Sequence, residues 1–306
     1  MFDVIHVDSQ RAAVTEPLGT KPKFWYRDDQ ERLMLFKAEK RGTGEDWAEK
    51  ISCELCEALA LPHVKYELAE CGGVPGVVCE TCAVDPVSLV LGNQLLLEVD
   101  PRYPHDGRKY NVHAHTVEAV ARVLESLPSP PAPWNAGLPS GIKTALDVFV
   151  GYAMLDAWVA NQDRHHENWG VLHNTHTNTR CLAPTFDHGA CLARNISDEE
   201  CRERLNSRDQ GRRIPKFAQR AKSAFYASGS SDSPDRSLTT VEAWRTFSLL
   251  NRRASIIWRD RLQAVDVTMV VRRLDEVPPG RFSSVRHEFT RELLAENRRR
   301  LLEEVQ

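Results

Sequence analysis

The first eighty residues alternate short apolar runs with polar turns, which is typical of a small sheet. The runs "KFWYR" and "RLMLFKA", joined by a short polar turn, predict a β-hairpin. The runs "HVKYELAE" and "VPGVVCET", separated by a glycine pair, predict two further strands. Between the two pairs, residues 47–60 carry apolar side chains at helical spacing. They predict one helix within the sheet region.

Beyond residue 83 the apolar spacing becomes mainly helical. Residues 115–127 predict an amphipathic helix, and residues 142–161 are apolar nearly all round, which predicts a buried central helix. A proline-rich connection over 128–139 separates these two helices. Two short strands, "WGVLHN" and "CLAPTF", follow the central helix, and the remainder is helical. We therefore expect an α+β fold with a small β-rich N-lobe, residues 1–83, and a larger helical C-lobe, residues 84–306.

Composition and charge narrow the class of protein. The 306 residues are 42% hydrophobic and 27% charged, which are ordinary values for a globular chain. A net charge of −3 disfavours a dedicated nucleic-acid or anionic-membrane binder. No apolar run approaches the ~20 residues that span a bilayer, and the N-terminus lacks the apolar centre of a signal peptide. We expect a cytoplasmic protein with neither nucleic-acid nor membrane partners.

The eight cysteines are expected to be free thiols, since no export signal is present. Cys53-x-x-Cys56 and Cys79-x-x-Cys82 have the outline of a four-thiolate zinc site. The first pair, however, lies inside a segment with helical spacing of apolar residues, and no turn residue of the kind found in zinc knuckles separates the two cysteines. We therefore predict core thiols on a helix and a strand, and a stoichiometric zinc in purified protein would overturn that prediction.

The polar loop "ANQDRHHENWG", residues 160–170, directly follows the most apolar predicted helix and carries the first candidate chemistry. Asn168 stands five positions after Asp163, and Asp187 of "FDHG" follows nineteen residues later. Phosphoryl transfer from ATP needs a carboxylate to receive the acceptor proton and oxygen ligands to hold Mg²⁺. This order predicts Asp163 as the catalytic carboxylate, with Asn168 and Asp187 as metal ligands. Taken singly, each of the three is also compatible with a turn former or a helix cap.

The N-terminal half supplies two residues that match this order. Lys37 ends an apolar strand, where phosphate oxygens and a helix carboxylate would offset its desolvation. Glu49, twelve residues later, matches the carboxylate that pairs with this lysine in kinases. The alternatives are a lysine that snorkels at a strand end and a Glu49 that partners Asp46, the expected N-cap, in a capping arrangement. The four features occur in one order along the chain: the lysine, the glutamate, D-x4-N and D-x-G. This order favours a nucleotide-binding site over the separate structural alternatives.

The segment "EPLGTKPKFWY" precedes the first hairpin strand and is a candidate phosphate loop. Its backbone N–H groups and lysines can cradle phosphate oxygens. The complete set of predicted nucleotide-binding residues is Gly19, Thr20, Lys21, Lys23, Lys37, Glu80 and Cys82.

Three further residues of the polar loop are given structural roles. His165 is expected to pack within the loop, and His166 is expected to be exposed. Arg164 is expected to neutralise loop carboxylates or, after phosphorylation elsewhere, to bind a phosphate.

Together these segments resemble the HipA-like serine/threonine kinases, a bacterial branch of the kinase superfamily near the phosphatidylinositol 3-/4-kinase group. The hallmark N-x-D-R-H-x-x-N loop stands here as Asn161, Asp163, Arg164, His165 and Asn168. The segments "LAPTFDHG", "LMLFK" and "GEDWAEKISCELCEALAL" carry the rest, and the resemblance runs from about residue 15 to at least residue 195.

The resemblance implies a bilobal protein-kinase-like fold and a kinase that depends on ATP and Mg²⁺ or Mn²⁺. It implies that Lys37 contacts the α- and β-phosphates. Family members often phosphorylate a serine or threonine of their own phosphate loop, and Thr20 is the matching hydroxyl here. Longer HipA toxins carry an additional N-terminal subdomain that contacts an antitoxin. This chain begins almost at the phosphate loop, so we expect a short, stand-alone member without an antitoxin partner.

The leading hypothesis is a protein serine/threonine kinase that phosphorylates itself. A kinase of a small molecule or a lipid headgroup uses the same catalytic set, although the near-neutral charge disfavours a lipid. A non-catalytic nucleotide-binding regulator is the third hypothesis, and the intact Lys, Asp, Asn and Asp set argues against it. The sequence does not predict the phosphate acceptor.

Overall fold

The computed structural model describes residues 1–12, 14–15, 23–39, 42–104, 107–228 and 236–303. Within these ranges the chain forms a β-sheet region at its beginning and a mainly helical region after it, which confirms the predicted α+β class. The strands are β1 (Val4–Val7), β2 (Val14–Thr15), β3 (Lys23–Arg27), β4 (Leu33–Ala38), β5 (Tyr66–Cys71), β6 (Val74–Glu80), β7 (Val87–Leu91), β8 (Gly170–Asn174), β9 (Thr179–Leu182), β10 (Lys222–Tyr226) and β11 (Ser237–Thr239). The helices are α1 (Glu45–Leu59), α2 (Gly92–Val99), α3 (Val117–Leu124), α4 (Ala145–Val159), α5 (Asp198–Asn206), α6 (Ile214–Ala218), α7 (Thr240–Leu250), α8 (Arg252–Ala264), α9 (Val267–Asp275) and α10 (Ser284–Glu303).

The N-terminal sheet has six strands in the order β1-β5-β6-β4-β3-β2. Both predicted strand pairs are present, as the antiparallel pairs β3–β4 and β5–β6. Strand β1, which was not predicted, joins the edge in parallel with β5. Side chains along β4 point alternately to the two faces of the sheet, so Leu35 and Lys37 lie on the same face. Leu35 packs into the apolar cluster on this face, and Lys37 lies near its end.

Helix α1 begins at Glu45, and the prediction that Asp46 is its N-cap was wrong. The N-cap is Gly44, in the left-handed region at φ 77°, where any Cβ would collide with the Trp47 ring. The Asp46 carboxylate lies buried in the first turn, where it accepts from the Trp47 N–H at 2.7 Å and from Arg281 Nη1 at 2.8 Å. Arg281 comes from the distant segment before α10, so the start of α1 is fixed by a tertiary contact that local spacing does not encode.

Helix α4 is the centre of the helical region, as its apolar pattern predicted. It starts at a capping box in which Thr144 accepts from the Asp147 N–H and the Asp147 side chain accepts from the Thr144 N–H. Apolar side chains of α1, α3, α7 and α8 pack into one core with it. Helix α1 is therefore anchored to the helical region as well as to the sheet.

A separate three-stranded sheet, in the order β7-β8-β9, contributes Val171 and Leu182 to the apolar core around α4. Strands β8 and β9 form the predicted hairpin, while β7 was not predicted. This sheet supports the polar loop on one side and the segment that contains Asp187 on the other. None of the helices in the described part of the chain combines the length and the apolar character that crossing a membrane requires.

The cysteines are free thiols. Cys53 and Cys56 lie buried on α1, and Cys79 lies buried on β6, which confirms the predicted placement of core thiols on a helix and a strand. Burial raises the pKa of Cys53 and that of Cys79 to about 12. Over the described residues, no three His, Cys, Asp or Glu side chains gather in the way a protein metal cage would require.

Candidate active site

Lys37 and Asp187 form an ion pair between the N-terminal sheet and the segment that follows β9. The Lys37 Nζ lies 3.0 Å from Asp187 Oδ1 and 3.4 Å from the hydroxyl of Tyr66, a buried residue of β5. The Asp187 N–H donates to the same Tyr66 hydroxyl at 3.3 Å. Burial works against the ammonium, but the carboxylates of Asp187 and Glu49 outweigh it and raise the pKa of Lys37 well above its ordinary value. Lys37 is therefore a fixed cation beside Asp187, not a lysine that snorkels into solvent.

The backbone at Asp187 adopts an uncommon conformation that its neighbours hold in place. Its φ of 61° lies in the left-handed region, which costs energy for a residue other than glycine. The next residue, His188, donates its N–H to Glu49 Oε1 at 2.7 Å. A Cβ on Gly189 would lie 3.0 Å from Glu49 Oε2, so the glycine of D-H-G permits this close approach.

Glu49 therefore fastens α1 to the D-H-G segment, which differs from both sequence interpretations. Among the described residues, the Lys37 ammonium forms its ion pair with Asp187 instead of Glu49. The capping arrangement with Asp46 is also absent from this part of the chain, because Glu49 accepts from His188. Glu49 still acts on Lys37 through its charge, which contributes to the raised pKa of that lysine.

The polar loop between α4 and β8 presents Asp163 and Asn168. Asn168 Nδ2 donates to the backbone carbonyl of Asp163 at 2.7 Å, and the Asn168 N–H donates to the His165 carbonyl at 2.9 Å. Because the amide nitrogen of Asn168 donates to the Asp163 carbonyl, the amide oxygen is directed away from that carbonyl and can act as a ligand. An amide oxygen and the Asp187 carboxylate are the hard oxygen donors that Mg²⁺ prefers, usually together with phosphate oxygens. The residues present therefore fit such a metal.

A buried ion pair between Arg164 and Asp156 connects this loop to helix α4. Arg164 is only 1% exposed, and its Nε and Nη2 each donate to the Asp156 carboxylate of α4 at 2.8 Å. Its Nη1 donates to the backbone carbonyls of Asn168 at 2.8 Å and Phe186 at 3.3 Å. One guanidinium thus links α4, the loop and the residue before Asp187.

The prediction for Arg164 was correct in one respect and wrong in two. Arg164 neutralises a carboxylate, but that carboxylate belongs to helix α4, and its burial rules out binding a phosphate from solvent. The role of Asp156 was not predicted from the sequence. The available signal was an acidic residue in the last turn of a largely apolar helix, since a buried charge is stable only with a partner.

The histidines of the loop are both buried. His165 is buried as expected, and its Nε2 lies 3.7 Å from Asp163 Oδ1. The expectation that His166 is exposed was wrong: it is 2% exposed, and its Nδ1 lies 2.8 Å from the hydroxyl of Tyr103. Burial lowers the pKa of His165 to about 4, so its ring is neutral near pH 7.

Lys23 lies on the same sheet face as Lys37. The two residues are direct partners in the β3–β4 register, so their side chains leave the sheet on one side. Like charges placed opposite each other are unfavourable unless anions lie nearby. This pairing supports the placement of Lys23 in an anion-binding set.

The remaining predicted nucleotide-binding residues fall into two groups. Gly19, Thr20 and Lys21 lie outside the described residues. Glu80 ends β6 with an exposed side chain whose carboxylate is 3.6 Å from Arg32, and Cys82 follows it, partly buried against the apolar face that includes Leu35. The structure thus brings together Lys23, Lys37, Glu49, Asp163, Asn168 and Asp187.

The chain is similar to a known kinase both in sequence and in structure. No protein-family model matches the chain. A segment of 74 residues is 36% identical to the serine/threonine-protein kinase CtkA of Helicobacter pylori, and this match covers 24% of the chain but only 22% of that protein. The crystal structure of the Helicobacter pylori proinflammatory kinase CtkA superposes with a TM-score of 0.70 at 17% identity, covering 98% of this chain and 96% of that one.

A second solved structure has the same fold. The HipA, HipB and operator DNA complex of the Shewanella oneidensis toxin–antitoxin system contains a chain that matches with a TM-score of 0.51 at 11% identity. The match covers 95% of this chain and 67% of that one. The chain is homologous to CtkA and has the kinase-like fold of CtkA and HipA, which confirms the resemblance predicted from the loop motif.

Proposed function

We propose that this protein is a kinase that transfers the γ-phosphoryl group of ATP, with Mg²⁺ or Mn²⁺, to a serine or threonine hydroxyl of a protein. The observation that carries the proposal is the Lys37–Asp187 ion pair of 3.0 Å, formed beside the loop that holds Asp163 and Asn168. This set combines a cation for phosphates, oxygen ligands for a metal and a carboxylate for a proton. Homology to a serine/threonine-protein kinase supports it.

Each residue has a distinct role in the proposal. Asp163 receives the proton of the acceptor hydroxyl, and Lys37 neutralises phosphate charge. Asp187 and Asn168 supply the oxygen atoms that hold the metal. A bound Mg²⁺ would supply neutralisation of the charge on the phosphate oxygens.

The Lys37–Asp187 contact has a consequence for binding. The Lys37 ammonium and the Asp187 carboxylate neutralise each other in an ion pair of 3.0 Å. A nucleotide with its metal would offer the ammonium phosphate oxygens and the carboxylate a cation, so both charges keep a partner of opposite sign. Tyr66, which contacts both residues, holds them in place during this exchange.

The base of the nucleotide is assigned to the apolar face next to Lys37. Leu35 and Cys79 of this face are buried, and Trp25, Cys82 and Phe186 pack partly exposed against it. Apolar walls with a few polar groups at one end are typical of nucleotide pockets. Cys82 thereby keeps its proposed contact with the nucleotide.

Labelled ATP distinguishes this proposal from the two rival hypotheses. Purified protein is incubated with γ-labelled ATP and Mg²⁺ or Mn²⁺, alone and with protein acceptors, soluble alcohols or lipid vesicles. We expect label on protein, lost in Asp163→Asn and Asp187→Asn and kept in Asp209→Asn, an exposed control. Label only on an alcohol or a lipid favours a small-molecule or lipid kinase, and nucleotide binding without transfer favours a non-catalytic regulator. Mass spectrometry of residues 15–25 tests Thr20 as a self-phosphorylation site.

A further inference from the structure

The segment from α6 to β10 concentrates positive charge. Over the whole chain 43 acidic residues outnumber 40 basic ones, yet residues 210–231 contain no acidic residue and five basic ones. These five are Arg212, Arg213, Lys216, Arg220 and Lys222. The segment is therefore a local cationic region in a chain that is slightly acidic as a whole.

Three of these cations share the outer face of α6. Arg213, Lys216 and Arg220 are three and four positions apart, which places them on one side of a helical turn, and all three are exposed. Arg212 is neutralised by Glu203 at 2.8 Å, whereas none of the three forms an ion pair within the described part of the chain. We call Arg213, Lys216 and Arg220 the cationic face.

The opposite side of α6 is fixed in an apolar cluster beside the polar loop. Ile214, Ala218 and Ala221 pack in one buried cluster with Ala160, the first residue of that loop. Arg300 Nη1 donates to the Ala218 carbonyl at 3.0 Å and holds the end of the helix. The cationic face therefore stands on a fixed helix that adjoins the polar loop.

Strand β10, which follows α6, is connected to the same loop. The Tyr226 N–H donates to the His115 carbonyl at 3.0 Å, and the Phe225 ring stacks on the His115 ring at 4.6 Å. His115 Nε2 accepts from Nε1 of Trp169, a residue of the loop, at 3.2 Å. The segment from α6 to β10 is thus joined to the loop at both of its ends.

A protein segment rich in carboxylates is the partner that the cationic face fits. Carboxylates are the side chains that pair with arginine and lysine. Alternate side chains of an extended chain are about 6.6 Å apart, at 3.3 Å per residue. Neighbouring cations on one helix face are roughly 5–6 Å apart. A sequence of the pattern acid-x-acid-x-acid therefore matches the three charges in turn.

Nucleic acids and membranes fit this surface less well. Single-stranded nucleic acids stack on exposed aromatic rings, and binding at a membrane interface needs exposed apolar side chains. In the described ranges, no exposed large hydrophobic side chain lies between residues 206 and 228. The net charge of −3 also disfavours a long polyanion.

The groove between α6 and α10 has the opposite charge on its far wall. Glu288, Glu292 and Glu296 of α10 line this groove together with Arg213. Repulsion from these carboxylates keeps an acidic segment out of the groove. The segment lies instead along the outer face of α6.

We propose that the cationic face binds an acidic segment of the protein acceptor, on the same molecule as the hydroxyl that reacts at Asp163. The proposal rests on the proposed function and names the class of its substrate. Because the cationic face lies outside the residues that carry out transfer, it strengthens acceptor binding without changing the chemical step.

The first experiment measures the binding of labelled peptides to the full chain by fluorescence anisotropy. We expect (Glu-Gly)6 to bind more tightly than (Gln-Gly)6 and (Lys-Gly)6. Raising the salt from 0.1 M to 1 M should weaken this binding, because the Debye length falls from about 10 Å to about 3 Å.

Two triple variants locate the binding. Arg213→Gln, Lys216→Gln and Arg220→Gln together should raise the Kd of (Glu-Gly)6 about tenfold, since each exposed pair contributes roughly 1.5- to 5-fold. The matched control has the same change of charge at exposed cations elsewhere and should keep the wild-type Kd: Lys143→Gln, Arg252→Gln and Arg272→Gln. Equal thermal unfolding midpoints of the two variants show that the fold is intact in both.

The second experiment measures transfer from γ-labelled ATP to peptide pools. Each peptide carries one serine or threonine among random residues and is joined at either end to Glu-Gly-Glu-Gly-Glu or to Gln-Gly-Gln-Gly-Gln. We expect a KM about tenfold lower for the glutamate pool at an equal kcat. The cationic-face variant should show no difference between the pools.

The outcomes separate this inference from the proposed function. Tighter binding of the lysine peptide, a single-stranded oligonucleotide or phosphatidylserine vesicles than of (Glu-Gly)6 overturns the inference. Equal weakening in the two triple variants, or an equal KM for the two pools, also overturns it and leaves the proposed function standing. If (Glu-Gly)6 binds through the cationic face while no acceptor of any kind receives label, the proposed function fails and the surface for acidic segments stands.

Discussion

The Nζ of Lys37 lies 3.0 Å from Oδ1 of Asp187, although 150 positions separate the two residues in the chain. Tyr66 contacts both of them, and Glu49 holds the residue that follows Asp187. The N-terminal sheet, helix α1 and the segment after β9 therefore meet at one point. The proposed kinase chemistry requires a cation and a carboxylate placed in this way.

Replacing the ammonium of this pair is expected to remove most of the activity. Lys37→Met keeps the length of the side chain but leaves phosphate charge without its cation. Loss of one preorganised electrostatic contact lowers turnover by about 100- to 1000-fold. Initial rates of label transfer measure the effect, and Lys65→Met, at a side chain 75% exposed, should retain the wild-type rate. A Lys37→Met protein with more than half of the wild-type rate would contradict the assignment.

The buried Arg164–Asp156 pair is expected to contribute to stability as well as to activity. Arg164→Met leaves the Asp156 carboxylate buried without its cation, which typically costs about 3–5 kcal/mol. Urea denaturation should show this loss in the free energy of unfolding, together with a fall in label transfer. Arg180→Met removes a partly exposed pair with Glu98 and serves as the control.

A double variant separates the pair from its surroundings. Asp156→Leu combined with Arg164→Met removes both charges, so it should be more stable than Arg164→Met alone. Equal losses of stability in Arg164→Met and in the Arg180→Met control would contradict the role given to the buried pair.

Glu49 is expected to act through the D-H-G backbone. Glu49→Ala removes the acceptor of the His188 N–H, a hydrogen bond to a charged group worth about 1.5–3 kcal/mol. If that energy holds Asp187 in its left-handed conformation, transfer should fall by about 10- to 100-fold. Glu57→Ala on the exposed side of the same helix is the matched control. A rate in Glu49→Ala equal to that in Glu57→Ala would show that the carboxylate does not position Asp187.

The elements of the fold were predictable where local spacing determines them. The β3–β4 and β5–β6 pairs and the buried helix α4 follow from runs of apolar side chains, and their bounds differ from the predicted ones by a few residues. The polar loop was predicted as a candidate catalytic loop because D-x4-N and D-x-G join residue types that phosphoryl transfer needs. Strand β1 was not predictable, since its pairing with β5 depends on residues 64 positions away.

The support of the site could not be predicted for the same reason. Asp46 has the residue type of an N-cap, yet Arg281 draws its carboxylate into the core. His166 belongs to a polar run, yet Tyr103 and the surrounding core bury it. Each case depends on a neighbour far away in sequence, which no local pattern contains.

Histidines buried near the loop predict a pH-dependent stability. His115 Nδ1 lies 3.0 Å from the Ala224 carbonyl and must donate to it, while its Nε2 accepts from Trp169 Nε1 at 3.2 Å. Both nitrogens are used by the neutral ring, and burial lowers the pKa of His115 to about 3. Below about pH 6.5 the unfolded chain binds protons that the folded chain does not. The free energy of unfolding should therefore fall as the pH drops from about 6.5 toward 4.

The magnitude and the control follow from the same linkage. Each such histidine contributes a slope of up to about 1.4 kcal/mol per pH unit. Burial raises the pKa of Asp46 to about 6, which opposes the trend in the same pH range, so the comparison must be between variants. In urea denaturation at several pH values, His115→Gln should have a shallower pH slope than wild type, and His176→Gln, on an exposed turn, should not. Identical slopes for all three proteins would contradict the prediction.

The most direct measurement is a crystal structure with Mn²⁺ and a non-hydrolysable ATP analogue, in which anomalous scattering locates the metal. We predict a metal peak in contact with the carboxylate of Asp187 and the amide oxygen of Asn168. We also predict phosphate oxygens at the Lys37 ammonium and an open path from the γ-phosphate to Asp163. A nucleotide bound elsewhere, or a metal that touches neither Asp187 nor Asn168, would contradict these predictions.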